Sequence, residues 1–327
     1  MTRVVGALSV ADLVSAAQEA ADVLRAGGVV AVPTETVYGL AGDAFSPEAC
    51  SRIFSVKERP LDDPLIVHVR TPDDLGRLTT GASAPLVQRL VAAFWPGPLT
   101  LVVPRRSEVP DLVTAGLPGV AVRCSSNAVL AAVLDAFGGP LAAPSANRFG
   151  RISPTTAAHV LEELGGRIPL VLDGGACTVG IESTIVAVDG EVLEILRPGP
   201  IGARELSEFG RLAPQSATPA PGRMKSHYAP ATPVRLVQSA EEVRDTERGD
   251  SAFLAWRAGQ TDGFHAVEIL STSGDSVAAA ARFYGALRRL DATGVRLIFA
   301  EIPPADGLGI AILDRLRKAA AHGEAST

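Results

Sequence analysis

The chain has 327 residues, 47% hydrophobic and 20% charged, with a formal net charge of −6. At roughly 150 residues per domain that is material for about two domains with substantial cores, and it excludes a disordered tail. The acidic balance also excludes a general nucleic-acid coat, which needs net positive charge or a basic stripe.

Three scattered cysteines (Cys50, Cys124, Cys177) without a CxxC pair argue against a zinc ribbon. With no export signal near the N-terminus, they predict a reduced, cytoplasmic protein. No apolar run reaches the roughly 18 residues of a spanning helix, so no membrane partner is expected. Lysine is scarce: Lys57, Lys225 and Lys318 are the only three among 30 basic residues. Lysine and arginine are not interchangeable at a tight anion site, so each retained lysine draws notice.

The N-terminal twenty residues read as an amphipathic helix start. The helical period over 11–26 stops at Gly27-Gly28, and 29–32 reads as a buried strand ending at Pro33. Ser46-Pro47 opens a helix over 46–56, and Thr71-Pro72 opens another over 71–78 after a strand at 64–69. A helix over 84–95 stops at Pro96-Gly97-Pro98. Strands at 99–104 and 120–125 are followed by a helix over 127–137, ended by Gly138-Gly139. The rhythm repeats through 140–145, a helix over 153–164 started by Ser153-Pro154, and 169–175. Asp189-Gly190 marks a two-residue hairpin within 183–196. Residues 211–233, rich in Pro, Ala, Ser and Thr, read as a semi-rigid linker. Beyond it, strands at 234–237, 252–256, 266–270 and 295–302 alternate with helices at 275–290 and 308–321. The expected organisation is a first domain over 1–210, the linker over 211–233 and a second domain over 234–327, built as α/β layers with open sheets.

The common cofactor and hydrolase signatures are missing: no GxxxxGK(S/T), no GxGxxG after a strand, no GxSxG, no HExxH. Other stretches carry chemistry. In PTETVYGLAGDAF, Thr34, Glu35 and Thr36 directly follow a buried strand, where open α/β sheets place ligands. The equal alternative is a threonine-rich strand end that caps its own turn. Lys57 and Arg59 stand two apart. In extended chain they would face one side and suit a triphosphate, against the blander reading of a solvated pair balanced by Glu58, Asp62 and Asp63. His68 lies inside an apolar strand, where a histidine is more often a satisfied core group than a ligand. Ser145, Asn147 and Ser153 offer neutral polar groups for phosphate or ribose, or ordinary turn chemistry. Arg123 and Arg197 each end a strand, well placed to meet an anionic ligand. Cys124 and Cys177 read as buried hydrophobes.

In this order, PTETVYGL, KERPLDDPLIVHV, APSANRFGRISPT, GIESTIV and LRPGPI resemble the YrdC family. GRMKSHYAP and the C-terminal IPPADGLGIAILDRLRKAA resemble its two-domain form. The resemblance implies a YrdC-like open twisted mixed sheet with flanking helices, plus a smaller Rossmann-like α/β domain. It implies a nucleotidyltransferase that makes threonylcarbamoyl-AMP and pyrophosphate from L-threonine, bicarbonate (or CO2) and ATP, with Mg²⁺ carried on the ATP and no metal ligands in the protein. The product would pass to a tRNA threonylcarbamoyl transferase complex acting on an adenosine beside the anticodon, with at most weak tRNA contact by this chain.

By motif, the resemblance places Lys57, Arg59, Ser145 and Asn147 around the phosphates as the catalytic set. Asp63, Ser153, Arg197, His227 and Tyr228 fall near ATP, and the linker becomes a lid. Thr34, Thr36, His68, Arg123, Ala143 and Ser183 fall around threonine. Asp63 departs from the family pattern, where many members carry Asn. A carboxylate there is unfavourable beside a triphosphate unless it faces a cation. Two alternatives rank lower. A non-enzymatic RNA-binding module of the same fold sits poorly with the acidic charge. A carbamoyltransferase of metal-centre maturation would carry zinc-binding and acylphosphatase modules that have no counterpart here.

Overall fold

A computed structural model describes residues 1–214 and 227–324, without the side chains of 322–324. The centre of the expected linker and lid, 215–226 with Lys225, lies outside the described residues. The chain divides into two compact units. Among the described residues the first comprises 1–149, 154–178 and 182–214, and the second 150–153, 179–181 and 227–324.

The first unit is built on eleven strands: β1 (Arg3–Gly6), β2 (Val30–Val32), β3 (Gly39–Asp43), β4 (Ile66–His68), β5 (Leu99–Pro104), β6 (Gly119–Arg123), β7 (Leu141–Ala142), β8 (Leu170–Asp173), β9 (Thr184–Asp189), β10 (Val192–Arg197) and β11 (Arg211–Leu212). They form one open mixed sheet in the order β1-β8-β2-β3-β7-β4-β6-β5-β9-β10-β11. Its helices are α1 (Val10–Arg25), α2 (Pro47–Lys57), α3 (Pro85–Phe94), α4 (Asp111–Thr114), α5 (Ala128–Phe137), α6 (Ala157–Leu164) and α7 (Ala203–Leu206). The period of two along β2 assigns the sheet's faces: Val30 and Val32 join the cluster of α1 and α5, whereas Ala31 joins Ile53 and Phe54 of α2. Burying a side chain such as Ile53 or Phe54 contributes about 1.5–3 kcal/mol, so helices on both faces hold the sheet and leave its strand ends for chemistry.

Several elements depart from the sequence reading, each for a local reason. The N-terminal stretch starts with β1, four residues on the sheet's edge and largely exposed, too short for any period to show. β3 (GLAGD) carries two glycines, poor strand formers. They are there for space: a Cβ on Gly39 would lie 3.2 Å from Ala143 Cβ, and one on Gly42 3.1 Å from Ile53 Cδ1. Residues Pro72–Arg77 form a 3₁₀ helix rather than an α-helix. α6 begins three residues after Pro154, because Thr156 rather than Ser153 supplies the cap, accepting the His159 N–H. The hairpin loop is Gly190-Glu191, since Asp189 pairs with Val192; Gly190 (φ 58°) takes the first loop position, where positive φ is needed.

The second unit carries β12 (Val234–Val237), β13 (Ser251–Ala255), β14 (Ala266–Ile269) and β15 (Leu297–Glu301), all parallel in the order β12-β15-β13-β14. Its helices are the short α8 (Asp245–Arg248), α9 (Ser276–Asp291), N-capped by Asp275, and α10 (Gly307–Glu324). An all-parallel sheet with helical crossovers is the layout of small Rossmann-like domains.

Candidate active site

In the first unit, the ends of β2, β4 and β6 converge. β4 and β6 run parallel, and His68 is in register with Arg123. After β2 the chain turns through Thr34, Glu35 and Thr36. The Thr34 hydroxyl accepts the N–H groups of Thr36 and Val37 and donates to the Val37 carbonyl, so it is consumed in capping the turn. That turn aims Thr36 and Glu35 at Arg123. The buried guanidinium donates from Nη1 to Thr36 Oγ1 (2.8 Å) and from Nε to the Gly97 carbonyl (3.2 Å), and Nη2 is ion-paired with Glu35 Oε1 at 2.7 Å. The Ser125 hydroxyl donates to the other Glu35 oxygen and accepts the Asn127 N–H. Burial alone would raise the Glu35 pKa, but the Arg123 charge and the hydrogen bonds from Ser125 and Arg123 overcome it and hold the carboxyl at about 2. His68 is pushed the other way, down to about 3, by burial and then by the Arg123 charge; its imidazole is neutral and its Nδ1 has no hydrogen-bond partner.

The polar chain continues across the sheet. Thr100 on β5 is in register with Arg123, and its hydroxyl lies 2.8 Å from that of Ser183, just before β9. Arg197, at the end of β10, donates to the Ser183 carbonyl and hydroxyl, both at 3.1 Å. Gly199 is required here, since a Cβ would come within 2.4 Å of the Thr184 nitrogen. Ala143 is buried after β7 and donates its N–H to the Ile66 carbonyl.

Lys57 and Arg59 do not lie in extended chain. Lys57 is the last residue of α2, and Glu58 turns left-handed (φ 55°) to stop the helix. Both cations are buried. Lys57 Nζ donates to the carbonyls of Ser145 (2.6 Å) and Asn147, and the Phe149 N–H returns to the Lys57 carbonyl at 2.7 Å. Burial, and then the Arg59 charge, bring the Lys57 pKa well below the ordinary lysine value. Arg59 donates to the carbonyls of Asp63 (3.0 Å) and Pro64 (2.8 Å) and is ion-paired with the Asp63 carboxylate at 2.9 Å. The Asp63 carboxylate therefore faces a cation, the Arg59 guanidinium. Burial still raises its pKa, against the pull of Arg59, Lys57 and Arg197. Asn147 is fully buried and donates to the Arg148 carbonyl, and Ser145 is half-buried, bridged to Gly39.

Ser153, His227 and Tyr228 belong to the second unit. There Tyr228 is buried, with Tyr284 stacked at 6.1 Å and the Arg315 and Lys318 cations 5.3 and 5.9 Å from its ring centre. His227 packs 4.1 Å from the same ring. Sequence reasoning did not single out Ser125 or Thr100, which carry no motif, and left Glu35 without a role, because a carboxylate looks out of place in an anion site. All three cysteines are buried, and burial is the leading cause that pushes the thiols up, Cys50 and Cys177 to about 12 and Cys124 to about 11. Among the described residues no group of three or more His, Cys, Asp or Glu side chains could hold a metal ion, and no helix is long and apolar enough to cross a membrane.

A mixed sheet with buried cations at converging strand ends, followed by a small parallel-sheet unit, defines a class, and the chain belongs to the Sua5/YciO/YrdC family. The model of that family, described as "Telomere recombination", matches residues 22–199, and a second, described as "Threonylcarbamoyl-AMP synthase, C-terminal domain", matches 191–321. Among curated relatives, the threonylcarbamoyl-AMP synthase of Pyrococcus abyssi is 37% identical over 321 residues, covering 93% of both chains. That of Bacillus subtilis is 36% identical over 319 residues, covering 92% of both. The crystal structure of P. abyssi Sua5 complexed with L-threonine superposes with a TM-score of 0.88 at 34% identity, covering 98% of each chain. E. coli YciO shares the fold, with a TM-score of 0.55 at 20% identity over 63% of this chain and 99% of its own.

Proposed function

We propose that this chain joins L-threonine, bicarbonate (or CO2) and ATP into threonylcarbamoyl-AMP and pyrophosphate, a nucleotidyl transfer. The observation that carries the reading is the near full-length likeness to a threonine-bound relative at 34% identity. The site's chemistry agrees with it. Arg123 takes the threonine carboxylate, with Thr36, neutral His68, Ala143 and Ser183 around the rest of the amino acid. The ammonium first loses a proton to solvent. The free amine adds to CO2 with loss of a second proton, or to bicarbonate with loss of water. The resulting carbamate oxygen attacks the α-phosphorus of ATP, and the bond to the pyrophosphate leaving group breaks. No protein nucleophile is needed. Positioning and charge neutralisation carry the catalysis.

Arg59 and Arg197 supply charge for the phosphates. Two of the three Lys57 ammonium donors are engaged by the Ser145 and Asn147 carbonyls. Lys57 therefore both shapes that loop and offers one donor to the nucleotide. Ser153, His227 and Tyr228 serve the nucleotide by motif. Asp63 is already paired with Arg59 and is no free metal ligand, so Mg²⁺ enters as part of the ATP substrate. The product is handed, in the cytoplasm, to a transferase complex that modifies tRNA.

The test is pyrophosphate release from ATP and bicarbonate with L-threonine, with L-serine and with no amino acid. Release should depend on L-threonine and be slower with L-serine. Equal release without any amino acid would refute the reading.

A further inference from the structure

We infer that Glu35, with Ser125 behind it, is a positioning residue that fixes Arg123 for the amino-acid carboxylate and tunes the pocket to accept a zwitterion. This rests on the function proposed above. Arginine carries a long side chain with much rotamer freedom, and a single neutral acceptor does not fix its plane. Here Thr36, Gly97 and Glu35 hold three different nitrogens from two segments of chain, the turn after β2 and the Gly97 loop. Glu35 is the only one of the three that also brings charge. It is itself buried (7% exposed) and braced by Ser125, whose hydroxyl is tied to the N–H of Asn127, the N-cap of α5. The bracing thus runs from a helix start through Ser125 and Glu35 to the guanidinium. Of the guanidinium's five N–H donors, two are hydrogen-bonded, to Thr36 and Gly97, while Nη2 faces Glu35 as an ion pair and makes no hydrogen bond among the described residues.

The charge balance leads to a specificity. Arg123 and Glu35 form a neutral buried pair, with His68 neutral beside them. A ligand of net charge zero that carries both a carboxylate and an ammonium leaves the pocket balanced. An anion of the same shape leaves one uncompensated charge in a desolvated site, where it is costly. Glu35 therefore selects free α-amino acids against hydroxy acids of similar outline, in addition to orienting Arg123.

The experiment is calorimetric binding of L-threonine and of 2,3-dihydroxybutyrate, in which hydroxyl replaces ammonium, to the full chain, its Glu35→Gln variant and its Ser125→Ala variant. Pyrophosphate release and thermal melting are followed alongside. Wild type should prefer L-threonine by about 100-fold. Glu35→Gln should weaken L-threonine by ~10-fold or more and narrow the preference by a similar factor, because the pocket then carries net positive charge. Ser125→Ala keeps the ion pair and should shift the preference the same way by only a few-fold, so it tests the idea even if Glu35→Gln fails to fold. Parallel weakening of both ligands, or an unchanged preference in a folded variant, overturns the inference. Wild type that neither binds L-threonine nor releases pyrophosphate with it overturns instead the proposed function.

Discussion

Glu35 also makes a quantitative prediction about acid stability. Its carboxyl is held at about 2 in the folded chain, against an ordinary value of 4.5. The folded value is the lower one, so the ionised group stabilises the fold above the unfolded value, and that stabilisation is lost as pH falls toward 2. A shift of this size corresponds to about 3 kcal/mol in full, of which about 2 kcal/mol is gone by pH 3. In Glu35→Gln the titrating group is absent. At pH 7 the variant should be less stable by about 3–5 kcal/mol, because Arg123 is left charged and buried without its counter-ion. The gap between wild type and variant should then close by about 2 kcal/mol between pH 6 and pH 3. Urea unfolding followed by the fluorescence of buried Trp95 measures this, with Trp256→Phe removing the signal of the second unit. Two pH profiles running parallel from pH 6 to pH 3 would refute the reasoning.

Other predictions follow from neighbouring residues. Lys57→Ala and Arg59→Ala should each lower pyrophosphate release by ~10²-fold or more, the scale of losing one charge-stabilising donor, and near-normal rates would remove their proposed roles. Asp63→Asn should change stability at pH 7 by no more than about 1 kcal/mol. Burial raises the Asp63 pKa despite three nearby cations, so its charge is held at a cost, and Arg59 keeps its bonds to the carbonyls of residues 63 and 64; a loss of several kcal/mol on denaturation would contradict that. Gly199→Ala should destabilise by about 1–3 kcal/mol, because the added methyl meets backbone atoms beside Ser183 that cannot yield, and an unchanged melting temperature would show that the loop relaxes freely.

Much of the fold was legible where a single physical signal dominated. α1, α5 and α9 have clear periods and side-chain caps at Ser9, Asn127 and Asp275. The hairpin of β9 and β10 followed from one glycine. β3 was not legible, because its glycines answer to Ala143 and Ile53, residues that only the folded sheet brings near. The site divides the same way. Arg123 and Arg197 at strand ends could be noticed from the chain alone. The placement of Lys57 could not, since its partners are carbonyls 88 and 90 residues away and carbonyls leave no trace in composition. Glu35 stayed without a role for a related reason. Its partner is a cation 88 positions downstream, and local sequence offered only an acid between two threonines.

The buried thiols have a use beyond packing. A cysteine reacts as the thiolate, and these three combine burial with acidities too weak to form it near neutrality. Labelling by an alkylating reagent can therefore proceed only through transient openings. Cys124 adjoins Arg123, Cys50 sits one helical stretch before Lys57, and Cys177 bonds to the Thr155 carbonyl. Each reports on a different part of the first unit's core. Their separate modification rates, read by mass spectrometry with and without substrates, would reveal which part opens and which stays shut.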